Sequence, residues 1–254
     1  VLIQREKFTP AQFILYIWLF SQNCLAADRL PDFFEATYTL HTREAQFAEM
    51  NRSFVAAGNG KYIFRSETRT TGFMSLFRKD RIIEESQWSE HEPQLRPEHY
   101  TYQHTGGKKD RFVDIVFDWD KNRITNQVGD SVWSMPLQPE ILDKLLYQLA
   151  IMRDLQRGRL PQSYTIADGG KIKSYEFEVL GEESVQTPLG TQQTIKLARY
   201  KSGSKDKTLL WCAINLEYLP IKVENTEQDG QVTTALIKTL KGFGDRDNLL
   251  PQQP

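Results

Sequence analysis

Apolar and polar residues alternate with a period of two along most of this chain. Phe34, Ala36, Tyr38 and Leu40 are interleaved with Glu35, Thr37, Thr39 and His41, the pattern of a strand with one buried face. Ala48, Met50, Phe54 and Ala56 lie on one side of the next segment. Gly58-Asn59-Gly60 then supplies the positive φ of a hairpin turn, and Tyr62 and Phe64 resume the alternation. Further strand-like runs cover 81–90, 98–105, 110–119, 122–127 and 130–135. After an interruption they return at 161–168, 171–182, 191–201, 207–214, 219–227 and 231–241. Gly106-Gly107, Gly169-Gly170, Ser202-Gly203-Ser204 and Asp229-Gly230 punctuate them, so the pattern predicts a meander of antiparallel strands.

The interruption has a different period. Pro139 suits a first helical position, Leu142, Leu145, Leu146, Leu149 and Met152 recur at helical spacing, and Gly158 suits the residue past the end. The predicted fold is therefore mainly β: a strongly curved antiparallel sheet, an open or half β-barrel, wrapped around one long α-helix.

The first 27 residues read as a secretory signal peptide. Arg5 and Lys7 precede the apolar run Phe13-Ile14-Leu15-Tyr16-Ile17-Trp18-Leu19-Phe20, and Cys24-Leu25-Ala26-Ala27 offers small residues for cleavage near Ala26 or Ala27. The run is shorter than the about 20 residues a bilayer span needs, so no transmembrane segment is expected after cleavage and the periplasm is the expected location. Ser21-Gln22-Asn23 lacks the residues of a lipobox, which argues against acylation of Cys24. No Pro/Gly/Ser linker and no repeat divides the rest. One domain is expected over 28–243, with a disordered polar tail at 244–254.

Charge narrows the function classes. The chain has 32 basic and 33 acidic residues, and removing residues 1–27 leaves 30 against 32. No polybasic face for nucleic acid or anionic lipid is evident in the sequence. Cys212 would be alone in the mature chain, which leaves no intramolecular disulfide and suggests a buried thiol.

Catalytic and metal-binding patterns are absent. His41, His91, His99 and His104 form no HxH or HExxH pair, and a lone cysteine completes no zinc site. Asp114, Asp118 and Asp120 could share one strand face, but they alternate with Ile115, Phe117 and Trp119 as on any half-exposed strand. There is no GxSxG and no phosphate loop. Neither a cofactor, a metal nor an enzymatic activity is expected.

Two features suit ligand binding. One is the loop from Thr71 to Arg78, where Phe73, Met74, Leu76 and Phe77 sit between two strands. A turn buried against the core and an exposed lid or prong touching lipid or a partner are the two readings. The other is the set of middle-section aromatics, Trp88, Tyr100, Tyr102, Trp119 and Trp133. With Leu142, Leu145, Leu149 and Met152 they would line the concave space of an open barrel, or simply fill the core.

Several stretches of the second half carry a resemblance: Thr187-Pro188-Leu189-Gly190, Leu210-Trp211-Cys212-Ala213, Leu219-Pro220-Ile221-Lys222-Val223 and Gly230 before a strand. With the Tyr38-Thr39-Leu40 strand and Asp143 of the helical region, they resemble an exported bacterial family known as domain of unknown function 3108. The family's Asp-Leu-Ser at the helix start reads here Asp143-Lys144-Leu145. The resemblance implies the open β-barrel of the periplasmic lipoprotein carriers LolA and LolB. It makes a periplasmic binding or carrier protein the leading expectation, with an acyl chain, a lipoprotein anchor or a glycolipid as ligand. The alternatives are a module that binds cell-envelope polysaccharide and a structural envelope protein without a ligand.

Overall fold

The computed structural model describes residues 30–243 except 44, 92 and 205; the expected signal peptide and tail lie outside the described residues. Fifteen strands form one sheet. They are β1 (Phe34–Thr42), β2 (Ala45–Gly58), β3 (Lys61–Thr70), β4 (Arg81–His91), β5 (Gln94–Thr105), β6 (Arg111–Asp118), β7 (Arg123–Val128) and β8 (Ser131–Pro136) in the first half. The second half holds β9 (Leu142–Asp143), β10 (Ser163–Asp168), β11 (Lys171–Thr187), β12 (Gly190–Lys201), β13 (Lys207–Ala213), β14 (Leu219–Thr226) and β15 (Val232–Lys241). One helix, α1 (Tyr147–Gln156), lies between β9 and β10.

The sheet order is β8-β7-β6-β5-β4-β3-β2-β1-β15-β14-β13-β12-β11-β10-β9. Two antiparallel meanders are thus joined by the β1–β15 pair, and only the short β9–β10 pair is parallel. The hairpin turns follow the glycines the sequence offers. Gly58, Gly60, Gly106 and Gly170 all have positive φ, which costs glycine little and other residues more.

The two edges, β8 and β9, do not pair with each other. Trp133 of edge strand β8 instead packs on the β10–β11 turn, its Nε1–H donating to the Gly170 carbonyl at 3.3 Å. A Cβ on Gly170 would lie 2.0 Å from the indole, and its φ is +78°. Gly170→Ala should therefore both strain the turn and push the indole out, at a cost of about 1–3 kcal/mol. A fall in Tm with a red-shifted indole emission is the expected result. An unchanged Tm and spectrum would show that Trp133 does not close this seam.

Across the first meander the cross-strand register sorts the buried face into rows. One row runs Phe54, Phe64, Ser86, Tyr100, Ile115 and Asn126, and all six are buried. The row toward the end of the sheet that holds the β10–β11 turn is polar: Arg52, Ser66, Glu84 and Tyr102. The row on the other side is aromatic, with Tyr62 stacked on Trp88 at 4.6 Å. The buried face is greasy at one end and charged at the other.

The helical region departs from the expected span. The helix is ten residues long and begins at Tyr147, not at Pro139. Glu140 takes a positive φ of 57°, and Leu142–Asp143 pairs with Ile166–Ala167 as a short strand, so neither stretch is helical. Asp143 Oδ1 accepts the N–H groups of Leu145 at 2.8 Å and Leu146 at 2.7 Å, which turns the chain into the helix. Eight of the ten helical residues are buried, with Tyr147 against Tyr175 and Phe177 and with Gln148 accepting from Arg52 Nη1 at 2.6 Å. The expected apolar hollow beside this segment is instead core. Leu142, Leu145, Leu149 and Met152 belong to one contiguous buried cluster with Trp88, Ile115 and Trp211.

Candidate functional site

The openings lie at the ends of this core, where the two edges of the sheet approach. At the greasy end an opening of about 420 Å³ has Leu95, Ala150, Arg153, Asp154 and Tyr164 among its lining residues. At the charged end a cleft of about 370 Å³ separates β5 and β6 from the β10–β12 hairpins. The second is the more distinctive.

Five cations line it. Arg111 opens β6, Lys144 follows the short strand β9, Lys171 and Lys173 sit on β11, and Lys201 ends β12. Tyr100, Tyr102 and Val113 form the opposite wall, and Asp168 at the end of β10 is the one carboxylate in the lining. The placement follows from strand periodicity. Lys171 and Lys173 are two apart on β11, so both face the same side. The pairing Tyr175↔Lys201 then sets Lys201 alongside.

Asp168 organises the lysines. Its Oδ2 lies 2.8 Å from both Lys173 Nζ and Lys201 Nζ, and it accepts the Tyr175 hydroxyl at 3.2 Å. Burial alone would raise this carboxyl, but the two ammonium groups hold it well below the usual carboxylate range. Burial, with the like charge of Lys201 beside it, lowers the Lys173 ammonium even though Asp168 opposes the shift. Deeper in, Lys144 lies 3.2 Å from Glu84 Oε1, and that oxygen also accepts the Tyr100 hydroxyl at 2.7 Å. Glu84 raises the Lys144 ammonium above its ordinary range against the effect of burial.

Arg111 and Lys171 differ from the other three. Both are exposed, and no carboxylate among the described residues lies within ion-pair distance of either. Arg111 sits over the Tyr102 ring at 5.8 Å. The cleft thus carries a surplus of positive charge, with two cations free to meet an anion. This arrangement fits anion binding.

The candidate residues fall into separate groups. Tyr100 and Tyr102 reach the cleft, and Trp133 sits on the Gly170 turn at its edge. Trp88, Leu142, Leu145, Leu149 and Met152 are packed in the core. Trp119 packs half-buried against the core under Arg96, whose guanidinium lies 4.8 Å from its ring, and it donates Nε1–H to the Pro97 carbonyl. Phe73, Leu76 and Phe77 lie on a 3-10 turn (Gly72–Leu76) and its following residue, each about 70% exposed. This rules out the buried-turn reading of the loop. The side chain of Met74 lies outside the described residues.

Other sequence expectations also find their places. His99 bonds Asp114 at 2.9 Å and His104 bonds Asp80 at 2.8 Å, so neither is a free surface ring. Asp118 holds Lys121 in the β6–β7 turn. Cys212 is fully buried, and burial pushes its thiol up to about 12. Among the described residues no three His, Cys, Asp or Glu side chains gather as a metal site would require, and no helix is long and apolar enough to cross a membrane. The cations of the cleft were missed from the sequence. The one local signal was Asp168-Gly169-Gly170-Lys171-Ile172-Lys173, a tight turn followed by two lysines on one face.

The family model described as a protein of unknown function, DUF3108, matches residues 34–237. The chain belongs to this family. No curated protein matches this DUF3108 chain in sequence. Among solved structures it is similar to a β-barrel-like protein of domain of unknown function DUF1849 from Brucella abortus. That match has a TM-score of 0.56 at 10% identity and covers 84% of this chain and 98% of that one. This likeness supports the barrel-like fold of the DUF3108 chain and says nothing of its activity. A protein from Bacteroides fragilis, described as exported and of YmcC-like fold, matches with a TM-score of 0.32 at 8% identity. It covers 84% of this chain and 98% of that one.

Proposed function

We propose that this protein is a binding or carrier protein of the cell envelope whose ligand is an acidic amphiphile held by its head group in the seam cleft. The gathering of five cations around a cleft whose lining has one carboxylate, at an opening in an otherwise filled core, carries this reading. Ion pairs that only brace the fold would leave little net charge. Here Arg111 and Lys171 stand in surplus, while Tyr100, Tyr102 and Val113 give an amphiphile an apolar wall. The expected interior cavity for an acyl chain is filled by the chain's own leucines. The proposed ligand therefore sits at the seam, with its tail outside the core. Export to the periplasm belongs to the same proposal and rests on the residue pattern of 1–27.

The polysaccharide alternative loses two of its platforms, since Trp88 is fully buried and Trp119 is covered by Arg96. A purely structural role accounts for the filled core but not for the cleft. Binding, not catalysis, is proposed because three of the four lysines are engaged in ion pairs, Lys144 with Glu84 and Lys173 and Lys201 with Asp168.

Titration with dodecyl phosphate, followed by indole emission because Trp133 packs at the cleft edge, tests this directly. Saturable binding is expected, at least tenfold tighter than for dodecyl maltoside, a difference of about 1.4 kcal/mol. Equal affinity for the charged and neutral amphiphiles would sink the reading.

A further inference from the structure

The turn after β3 is the most conspicuous feature that the cleft does not use. Phe73, Leu76 and Phe77 are 72%, 74% and 70% exposed. Phe73 and Phe77 meet edge-to-face at 5.0 Å, yet neither belongs to the core or packs against it. The turn has a defined shape. Ser75 Oγ donates to the Gly72 carbonyl at 2.6 Å, Thr71 N–H donates to the Phe47 carbonyl at 2.9 Å, and Thr70 N–H donates to the Asp80 carbonyl at 3.1 Å. Three large apolar side chains are thus presented to solvent from a braced base, at a cost in hydration that a fold has no reason to accept unless something covers them.

The surroundings say what the cover is. Arg78 and Lys79 follow the turn directly, and the β5–β6 turn with Lys108 and Lys109 packs on its base. A Cβ on Gly106 would lie 2.2 Å from the Lys79 carbonyl oxygen. Of the two nearby carboxylates, Asp80 is taken up by Arg78 and His104 and Asp110 accepts the Gly106 N–H. Burial alone would raise the Asp80 carboxyl, but these two partners hold it below its ordinary range. Apolar tips ringed by surplus cations suit an anionic bilayer, whose acyl layer takes the rings while its phosphates meet the lysines. A second copy of this chain fits poorly, because tip-to-tip contact would bring two sets of cations together.

We propose that Phe73, Leu76 and Phe77 form a membrane-docking prong that inserts into the surface of an anionic lipid bilayer, with Lys79, Lys108 and Lys109 on the headgroups. Strand pairing sets the β3–β4, β5–β6 and β10–β11 turns at the same end of the sheet. Docking would therefore bring the mouth of the cleft to the headgroup layer, although the prong stands on its own observations.

Sedimentation of the full chain with vesicles of phosphatidylcholine, with and without phosphatidylglycerol, tests it. The wild type is expected to pellet with the anionic vesicles at least tenfold more strongly than with the neutral ones. Phe73→Ser/Leu76→Ser/Phe77→Ser is expected to abolish pelleting with no change in Tm, since these side chains bury nothing. Lys79→Glu/Lys108→Glu/Lys109→Glu is expected to remove the preference for phosphatidylglycerol. Wild-type protein that stays in the supernatant, or serine and glutamate variants that pellet as the wild type does, would overturn the proposal. So would loss of pelleting confined to Arg111→Glu/Lys171→Glu, which would place the contact at the cleft. A wild-type dimer dispersed by the serine variant, with no vesicle binding, would make the prong a self-association surface and overturn it too.

Discussion

Replacing Asp143 by alanine is expected to cost about 3 kcal/mol or more of stability, because it orphans three buried donors at about 1–3 kcal/mol each. The donors are the Leu145 and Leu146 N–H groups on Oδ1 and the Ser86 hydroxyl on Oδ2 at 2.5 Å. The carboxylate is fully buried, so water cannot replace it. Asparagine keeps an oxygen for the two N–H groups and turns its amide toward Ser86, whose oxygen can accept. Asp143→Asn should therefore fold.

The two variants separate geometry from charge. Burial raises the Asp143 carboxyl to about 6 against the opposing bonds from Ser86, Leu146 and Leu145. Its folded value thus lies above the unfolded 3.8, and the native state binds the extra proton between the two. The cost of its charge is fully present above pH 6 and fades as the pH falls toward 4. Moving from pH 7 to 4.5, the wild type should gain about 2 kcal/mol relative to Asp143→Asn. Asp168 works in the opposite sense, lending stability that is lost only as the pH falls toward and below its unfolded value. It is present in both proteins and cancels. Urea unfolding at the two pH values checks this, and parallel curves for the two proteins would show that Asp143 is not a buried charge.

The second large effect concerns the cleft. Arg111→Glu/Lys171→Glu is expected to weaken dodecyl phosphate binding by about 100-fold or more, because two charge-assisted bonds of about 1.5–3 kcal/mol each are lost and two repulsions are gained. Both side chains are exposed, so the fold should be untouched. Lys241→Glu, an exposed cation on β15 with no part in the cleft, serves as the comparison and should bind as the wild type does. Equal losses in the two variants would mean that only overall charge matters.

The strand pattern was almost wholly legible in the sequence because most strands bury one face and many of them turn at glycine. Phe34, Ala36 and Tyr38 are all buried, as their alternation requires. The helix start was not legible. Leu142, Leu145, Leu146 and Leu149 keep a helical period only because a two-residue strand and a capped turn happen to place them in the same core. Nothing local distinguishes that from a continuous helix. The cleft was legible on one wall alone. Tyr100 and Tyr102 stood out as aromatics, but Arg111, Lys144, Lys171 and Lys201 are scattered from β6 to β12. Only the register of a curled sheet brings them together, and single-chain periodicity carries no information on curl. The prong was visible as a run of apolar residues in a loop. Whether they faced in or out depended on the base of the turn, which Phe47 of β2 and Asp80 just before β4 fix by accepting backbone N–H groups.

The cleft as ligand site is tested most directly by what the protein carries. The full chain and Arg111→Glu/Lys171→Glu would be isolated from bacterial envelopes without detergent, and the lipids they retain compared by mass spectrometry. An acidic amphiphile on the wild type that is missing from the variant is the predicted result. Neutral lipid on the wild type, or the same ligand on both proteins, would contradict it.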